Sequence, residues 1–132
     1  MTPPEAAPAV GERLTREQTL RRSADYLHCY RRGRRQGGAL ARLHYARNSV
    51  GGPRLGITAS RKVGNAVVRN RLKRRVREIF RRWPGRRNLP AVDVVVHLLP
   101  AAAAADFSTL RSELSELLGR LGGRGNGRRG RR

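Results

Sequence analysis

At 132 residues the chain has room for one domain built around one modest hydrophobic core. Its 30 Lys and Arg against 9 Asp and Glu give a formal net charge of +21. That balance excludes a neutral surface and points to a polyanionic partner, nucleic acid ahead of an anionic membrane.

Residues 1–11 contain Pro3, Pro4 and Pro8, lack the basic start of a secretion signal and read as a disordered tail. The domain is expected over residues 12–121. Thr15 and Gln18 have the spacing of a capping box. A helix is predicted from Ser23 to a stop at Gly33, with Tyr26 and Tyr30 four apart on one face. Cys29, the single cysteine, falls within this pattern as packing. It excludes an internal disulfide and fits a reducing cytoplasm. Arg34 to Gly38 reads as a loop. Leu40 to Ala46 alternates as a strand, with Arg42 and His44 on one side and Leu43 and Tyr45 on the other. After a turn from Asn48 to Pro53, Leu55 to Arg61 alternates again. Leu55, Ile57 and Ala59 form an apolar face; Gly56, Thr58 and Ser60 form a small, wet one.

The next segment is the most informative. A helix is predicted from about Ala66 to Trp83 with Asn65 as N-cap. Val68, Leu72, Val76, Ile79, Phe80 and Trp83 make a core stripe at helical spacing. The remaining faces are almost wholly basic. Arg69, Arg71, Lys73, Arg74 and Arg75 crowd the positive end of the helix dipole, and like charges repeat at i,i+4. Glu78 alone offers relief. A polyanion bound to this face removes the repulsion and releases counterions. Arginine in place of lysine suits bidentate phosphate contacts, and GC-rich codon usage gives the same excess.

Pro84-Gly85 ends the helix. Val92 to Leu99 is a third strand, apolar enough to be central. Phe107 to Leu121 is an amphipathic helix with Leu110, Leu114, Leu117 and Leu118 inward. Residues 122–132 are almost only Gly and Arg and read as a disordered tail. No apolar run approaches the roughly 18 residues of a membrane span. The order helix, strand, strand, helix, strand, helix predicts an α+β fold: a small mixed sheet with helices packed on one face. The strand–helix–strand unit follows the right-handed crossover rule unless something overrides it.

Catalytic constellations are missing from the residue content. The carboxylates are scattered, with no close pair for acid–base work or two-metal hydrolysis. His28, His44 and His97 fall on different elements and have no metal-ligand spacing with Cys29. Neither a phosphate loop nor a dinucleotide fingerprint occurs. This favours binding over protein-borne chemistry. Tyr26 and Tyr30, beside Arg31, Arg32, Arg34 and Arg35, suit base stacking, or else one or both are core aromatics. Thr58 and Ser60 suit backbone contacts, or else are ordinary strand surface.

From Arg54 to Arg75 the chain reads RLGITASRKVGNAVVRNRLKRR. This stretch closely resembles the protein subunit of bacterial ribonuclease P, through its Arg-x-Gly-x-x-x-Ser-Arg-Lys strand and its Arg69-Asn70-Arg71 signature. Weaker similarity runs from about Arg13 to Leu121. The resemblance implies an α/β sandwich with a left-handed βαβ crossover, like the second domain of a small-subunit ribosomal protein. It implies a protein that assists a catalytic RNA in removing the 5′ leader of precursor tRNA, one protein per RNA, in the cytoplasm. Mg²⁺ is then the working ion, held chiefly by the RNA. By the same resemblance Arg69, Asn70, Arg71, Lys73, Arg74, Arg75 and Arg77 contact the catalytic RNA. Tyr26, Tyr30, Arg42, His44, Thr58, Ser60, Arg61 and Lys62 line the cleft for the leader. No catalytic residue is implied. The family's usual Phe is replaced by Tyr26, and its usual aromatic on the first strand falls at His44, or at Tyr45 if the register slips. Leu98-Leu99 stand where the family often has a basic residue.

Overall fold

The computed structural model describes residues 14–122. The tail expected at 1–11, Arg13, and residues 123–132 of the Gly/Arg tail lie outside the described residues. A short 3-10 turn, Arg16–Gln18, leads into α1 (Ser23–Arg32), β1 (Arg34–Gly37), β2 (Ala41–Arg47) and β3 (Arg54–Ala59). Then come α2 (Ala66–Arg82), β4 (Val92–Leu98) and α3 (Phe107–Gly122). The sheet order is β1-β2-β4-β3. β1 with β2 and β2 with β4 are antiparallel, and β3 with β4 is parallel. The sheet is therefore mixed and the class is α+β, with α2 as the crossover between the parallel pair.

Alternation in the strands sorts the side chains. Leu43, Leu55, Val94, Val96 and Leu98 face the main core, shared with Leu72, Val76 and Phe80 of α2 and the leucines of α3. β4 is central, as its composition predicts, and every position but His97 is buried. Its second face, Asp93, Val95 and His97, is also largely buried, so the strand has cover on both sides. Val95 points to the opposite side, where it packs with Leu20 and Cys29, flanked by Tyr26 and Ala46. The expected one-sided helix layer thus needs a correction: α2 and α3 share one face, and α1 lies across the other. Cys29 is fully buried there, and burial pushes its thiol up to about 11, so it is an inert packing group.

A second correction concerns Arg34 to Gly38. The segment forms β1, paired with β2 from Arg34↔Tyr45 to Gly37↔Arg42. It is an edge strand, mostly exposed, whose polar residues carry no apolar alternation to announce it. Its hairpin is tied to α3 by Glu113, whose carboxylate accepts from the backbone N–H groups of Ala39, Leu40 and Ala41 at 3.0, 2.8 and 2.9 Å. Asp93, 3 % exposed on β4, is equally structural. It accepts from Arg54 Nε and Nη2, both at 2.8 Å, and from Asn48 Nδ2 at 2.7 Å. Asp25 of α1 reaches the same guanidinium at 3.7 Å.

Candidate nucleic-acid interface

The basic helix starts where expected. Asn65 Oδ1 accepts from Val68 N–H at 3.0 Å, and the first turn holds no acid. Gly64 before it has φ +156°, and a Cβ there would come within 2.9 Å of the Val68 side chain, so only glycine fits this entry. Glu78 is committed to Arg81 and Arg82, of which Arg81 does most to hold its carboxyl below the usual range. Arg69, Arg71, Lys73, Arg74, Arg75 and Arg77 have no ion pair among the described residues. Asn70, Arg74 and Arg77 are exposed; the others are half-buried, with stems lying along the surface. Arg69 Nε donates to the Gly64 carbonyl at 3.1 Å, which fixes where its charge points. Arg71 Nε is a buried donor without a protein acceptor. A ligand oxygen there removes a desolvation cost.

The other expected surface is the sheet face beneath α1. Pairing aligns it in cross-strand rows. The outer row is Gly37, Arg42, His97 and Thr58; the next is Arg35, His44, Val95 and Gly56; the third contains Ala46, Asp93 and Arg54. α1 covers the inner rows. Tyr26 lies over Gly56, where a Cβ would come within 2.8 Å of its ring, and its hydroxyl donates to the Leu20 carbonyl at 3.3 Å. Burial raises its phenol pKa. Of the two tyrosine readings, Tyr26 therefore takes the packing one: it closes the inner end of the cleft.

Tyr30, one turn on, is 37 % exposed. Its hydroxyl is 2.8 Å from Thr58 Oγ1, which is 2.9 Å from His97 Nδ1. Its ring meets the His44 ring edge-on at 4.5 Å and the His97 ring at 6.4 Å. Both imidazoles have lowered pKa values, His44 through burial first and then His97, Arg42 and Arg35, and His97 through burial and then Arg42. His44 occupies the cleft face, whereas Tyr45 packs against the opposite core, so the slipped register is not the one adopted. Ser60, Arg61 and Lys62 form the exposed turn that leaves β3 at the Thr58 end and runs into Gly64 and Asn65. This turn joins the cleft to the start of α2, so the two expected surfaces are contiguous along the chain.

His97 and Arg35 belong to this face although no motif singles them out. The signal for His97 was its phase: it shares a side of β4 with Asp93 and Val95. That side is recognisable as the cleft only once β4 is known to lie between β2 and β3. Leu98, buried in the core, and Leu99, whose N–H donates to Leu40, offer no phosphate contact at the strand end.

The arrangement can neutralise phosphates along α2 and receive a single strand across the outer row. Among the described residues no group of three His, Cys, Asp or Glu side chains could hold a metal ion, and no helix is long and apolar enough to cross a membrane. Asp25 and Asp93 are committed to Arg54, and Glu113 to the β1–β2 hairpin.

Comparison with known proteins finds relatives of this sequence and fold. The family Ribonuclease P matches over residues 14–122. The ribonuclease P protein component of Acidothermus cellulolyticus is 43% identical over 108 residues, spanning 77% of this chain and 86% of that one. That of Micrococcus luteus is 39% identical over 119 residues, spanning 81% and 89%. Among solved structures, the RNase P protein from Thermotoga maritima superposes with a TM-score of 0.71 at 35% identity, over 80% of this chain and 98% of that one.

Proposed function

The chain belongs to the ribonuclease P protein component family, and from that premise we propose that it delivers precursor tRNA to a catalytic RNA by binding both. Membership places it in tRNA processing with an RNA subunit. In the proposed division of labour, Arg69, Asn70, Arg71, Lys73, Arg74, Arg75 and Arg77 hold the catalytic RNA. Tyr30, Arg42, His44, Thr58, Ser60, Arg61 and Lys62 receive the 5′ leader, with Tyr26 shaping the inner end of the cleft. Hydrolysis of the phosphodiester belongs to the RNA, and Mg²⁺ is held chiefly by RNA phosphates.

The observation that carries this reading is the run of basic residues on α2 without acid partners, joined by the Ser60–Lys62 turn to a cleft of aromatic, imidazole and hydroxyl groups. Replacing counterions on the RNA with fixed guanidinium groups makes assembly entropically favourable and strongly salt-dependent. Lowering RNA self-repulsion reduces the Mg²⁺ requirement. Contacts to the leader are available only from precursor, so they favour substrate over product.

The test is cleavage of a precursor tRNA by bacterial ribonuclease P RNA at low, near-physiological Mg²⁺, with and without the protein, beside a protein-alone control. Strong stimulation with a silent control is the expected result. Tight RNA binding without stimulation would reduce the protein to a general RNA-binding module. Cleavage in the control would mean a protein-borne active site.

A further inference from the structure

We propose that His97 and His44 form a protonatable seat for a backbone phosphate of the single strand in the cleft, so that the cleft takes up a proton from solvent as it fills. The inference rests on the leader-binding reading above and goes beyond it: it names His97 as a leader-positioning residue and makes substrate preference depend on pH.

The geometry comes first. His97 is the cross-strand partner of Arg42, and His44 is the partner of Arg35. The Tyr30 ring of α1 lies edge-on to both imidazoles, and Arg42 and Arg35 supply the positive charge around them. The groups that face the histidines are Arg35 from β1, Arg42 from β2, Thr58 from β3, and Tyr26 and Tyr30 from α1. Neither of the two rows contains a carboxylate. The nearest acids on this face, Asp25 and Asp93, are both held by Arg54. Asp93 is four residues from His97 along β4, about 13 Å away at strand spacing. Asp93 stands one row from His44, but its carboxylate is taken up by Arg54 and Asn48, so the counter-charge for an imidazolium at His97 has to come from a ligand.

Both histidines are shifted down from the ordinary imidazole value, first by burial and then by like charges, which favours their neutral forms in the free protein. An anion seated between Arg42 and His97 replaces repulsion with attraction and raises the imidazole pKa. Affinity and protonation are then linked, each favouring the other by the same factor.

The hydrogen-bond chain permits this change. In the tautomer that carries its proton on Nε2, neutral His97 accepts the Thr58 hydroxyl at Nδ1. Protonated His97 donates from Nδ1 to Thr58 Oγ1, whose hydroxyl turns to donate to the Tyr30 oxygen. Every atom of the chain keeps a partner in both states, so the proton is added without orphaning a polar group. The sign follows: affinity for a leader rises as pH falls through the window between the free and bound pKa values, and is flat well above it.

The experiment uses the full chain assembled with bacterial ribonuclease P RNA. Affinities for precursor tRNA and for mature tRNA are measured from about pH 5.5 to about pH 8, spanning the imidazole range. Their ratio cancels pH effects common to the RNA and the α2 contact. The ratio is expected to rise about three- to tenfold on acidification, as linkage to one proton allows. His97→Gln and His44→Gln should flatten it. Independently of the variants, imidazole NMR signals of the wild-type chain should titrate at higher pH with a single-stranded RNA oligonucleotide than without. A wild-type leader preference that stays constant with pH, or an unchanged slope in both variants, overturns the proposal. No leader preference at any pH sinks the leader-binding reading itself, and this inference with it.

Discussion

Gly56 shows how much of the cleft depends on one missing methyl group. Tyr26 lies against that glycine, and a Cβ would come within 2.8 Å of the ring and 2.9 Å of Leu20. Gly56→Ala should therefore cost about 1–3 kcal/mol of stability through overpacking, read as a lower midpoint in denaturant. Arg69→Ala, by contrast, takes away a bond to the Gly64 carbonyl and, on the proposed RNA contact, one phosphate partner. Its cost in stability should be about 1 kcal/mol or less, while binding of the catalytic RNA weakens and its salt slope falls by about one. The histidines add a pH effect of definite sign. Their folded-state pKa values lie below the ordinary imidazole value, so their contribution to stability is full above that pH and is lost as pH falls below it. Melting temperature should drop on acidification, less so in a His44→Gln, His97→Gln double variant. At this scale the sequence was informative about residue type and poor about company. Tyr26 and Tyr30 were recognisable as an aromatic pair four apart, but only the packing of α1 over Gly56 separates the half-buried, packed ring from the available one. The α2 face was legible in full, because helical spacing alone puts its arginines together and the absence of acids needs no structure to see.

Among the elements, α2 starts on a single side-chain bond, Asn65 to Val68 N–H, at the end of the helix where its arginines repel most. Asn65→Ala should destabilise the protein by about 1 kcal/mol. Asn65→Asp should recover the loss, since a carboxylate favours both the dipole and the neighbouring guanidinium groups. The β1–β2 hairpin depends on α3 in a similar way. Glu113→Ala leaves three backbone N–H groups without their acceptor, a loss of about 1–3 kcal/mol that should appear as faster amide exchange at Ala39, Leu40 and Ala41. Periodicity located β2, α2 and α3, which bury regular stripes, and start, stop and composition signals located α1, β3 and β4. They missed β1, which buries no stripe, and the Glu113 clamp, because a carboxylate 72 to 74 residues from its donors carries no local signature. The expectation of helices on one face failed for a related reason. Val95 is buried on the face it shares with Asp93 and His97, but one valine between two polar residues does not announce that a helix covers that side.

The whole molecule carries +21 with no described cluster of acids to offset it, so salt acts in two opposite directions. Moderate salt should raise the melting temperature of the free protein by screening self-repulsion, while the affinity for RNA falls steeply over the same range. Calorimetry and binding isotherms in one salt series would show both; an affinity that stays constant across the series would mean that phosphate neutralisation is not the driving force. The sheet order has a kinetic consequence. Because β4 lies between β2 and β3, β3 has no strand neighbour until residue 98 has been made. A chain emerging from the ribosome thus presents the arginine-rich helix, with Leu72, Val76 and Phe80 still uncovered, before the strand that seats it exists. Insertion of that late strand is a long-range closure, which makes it the slow event of folding. Until it occurs, the nascent chain is both sticky and strongly attracted to any nearby nucleic acid, the ribosome included.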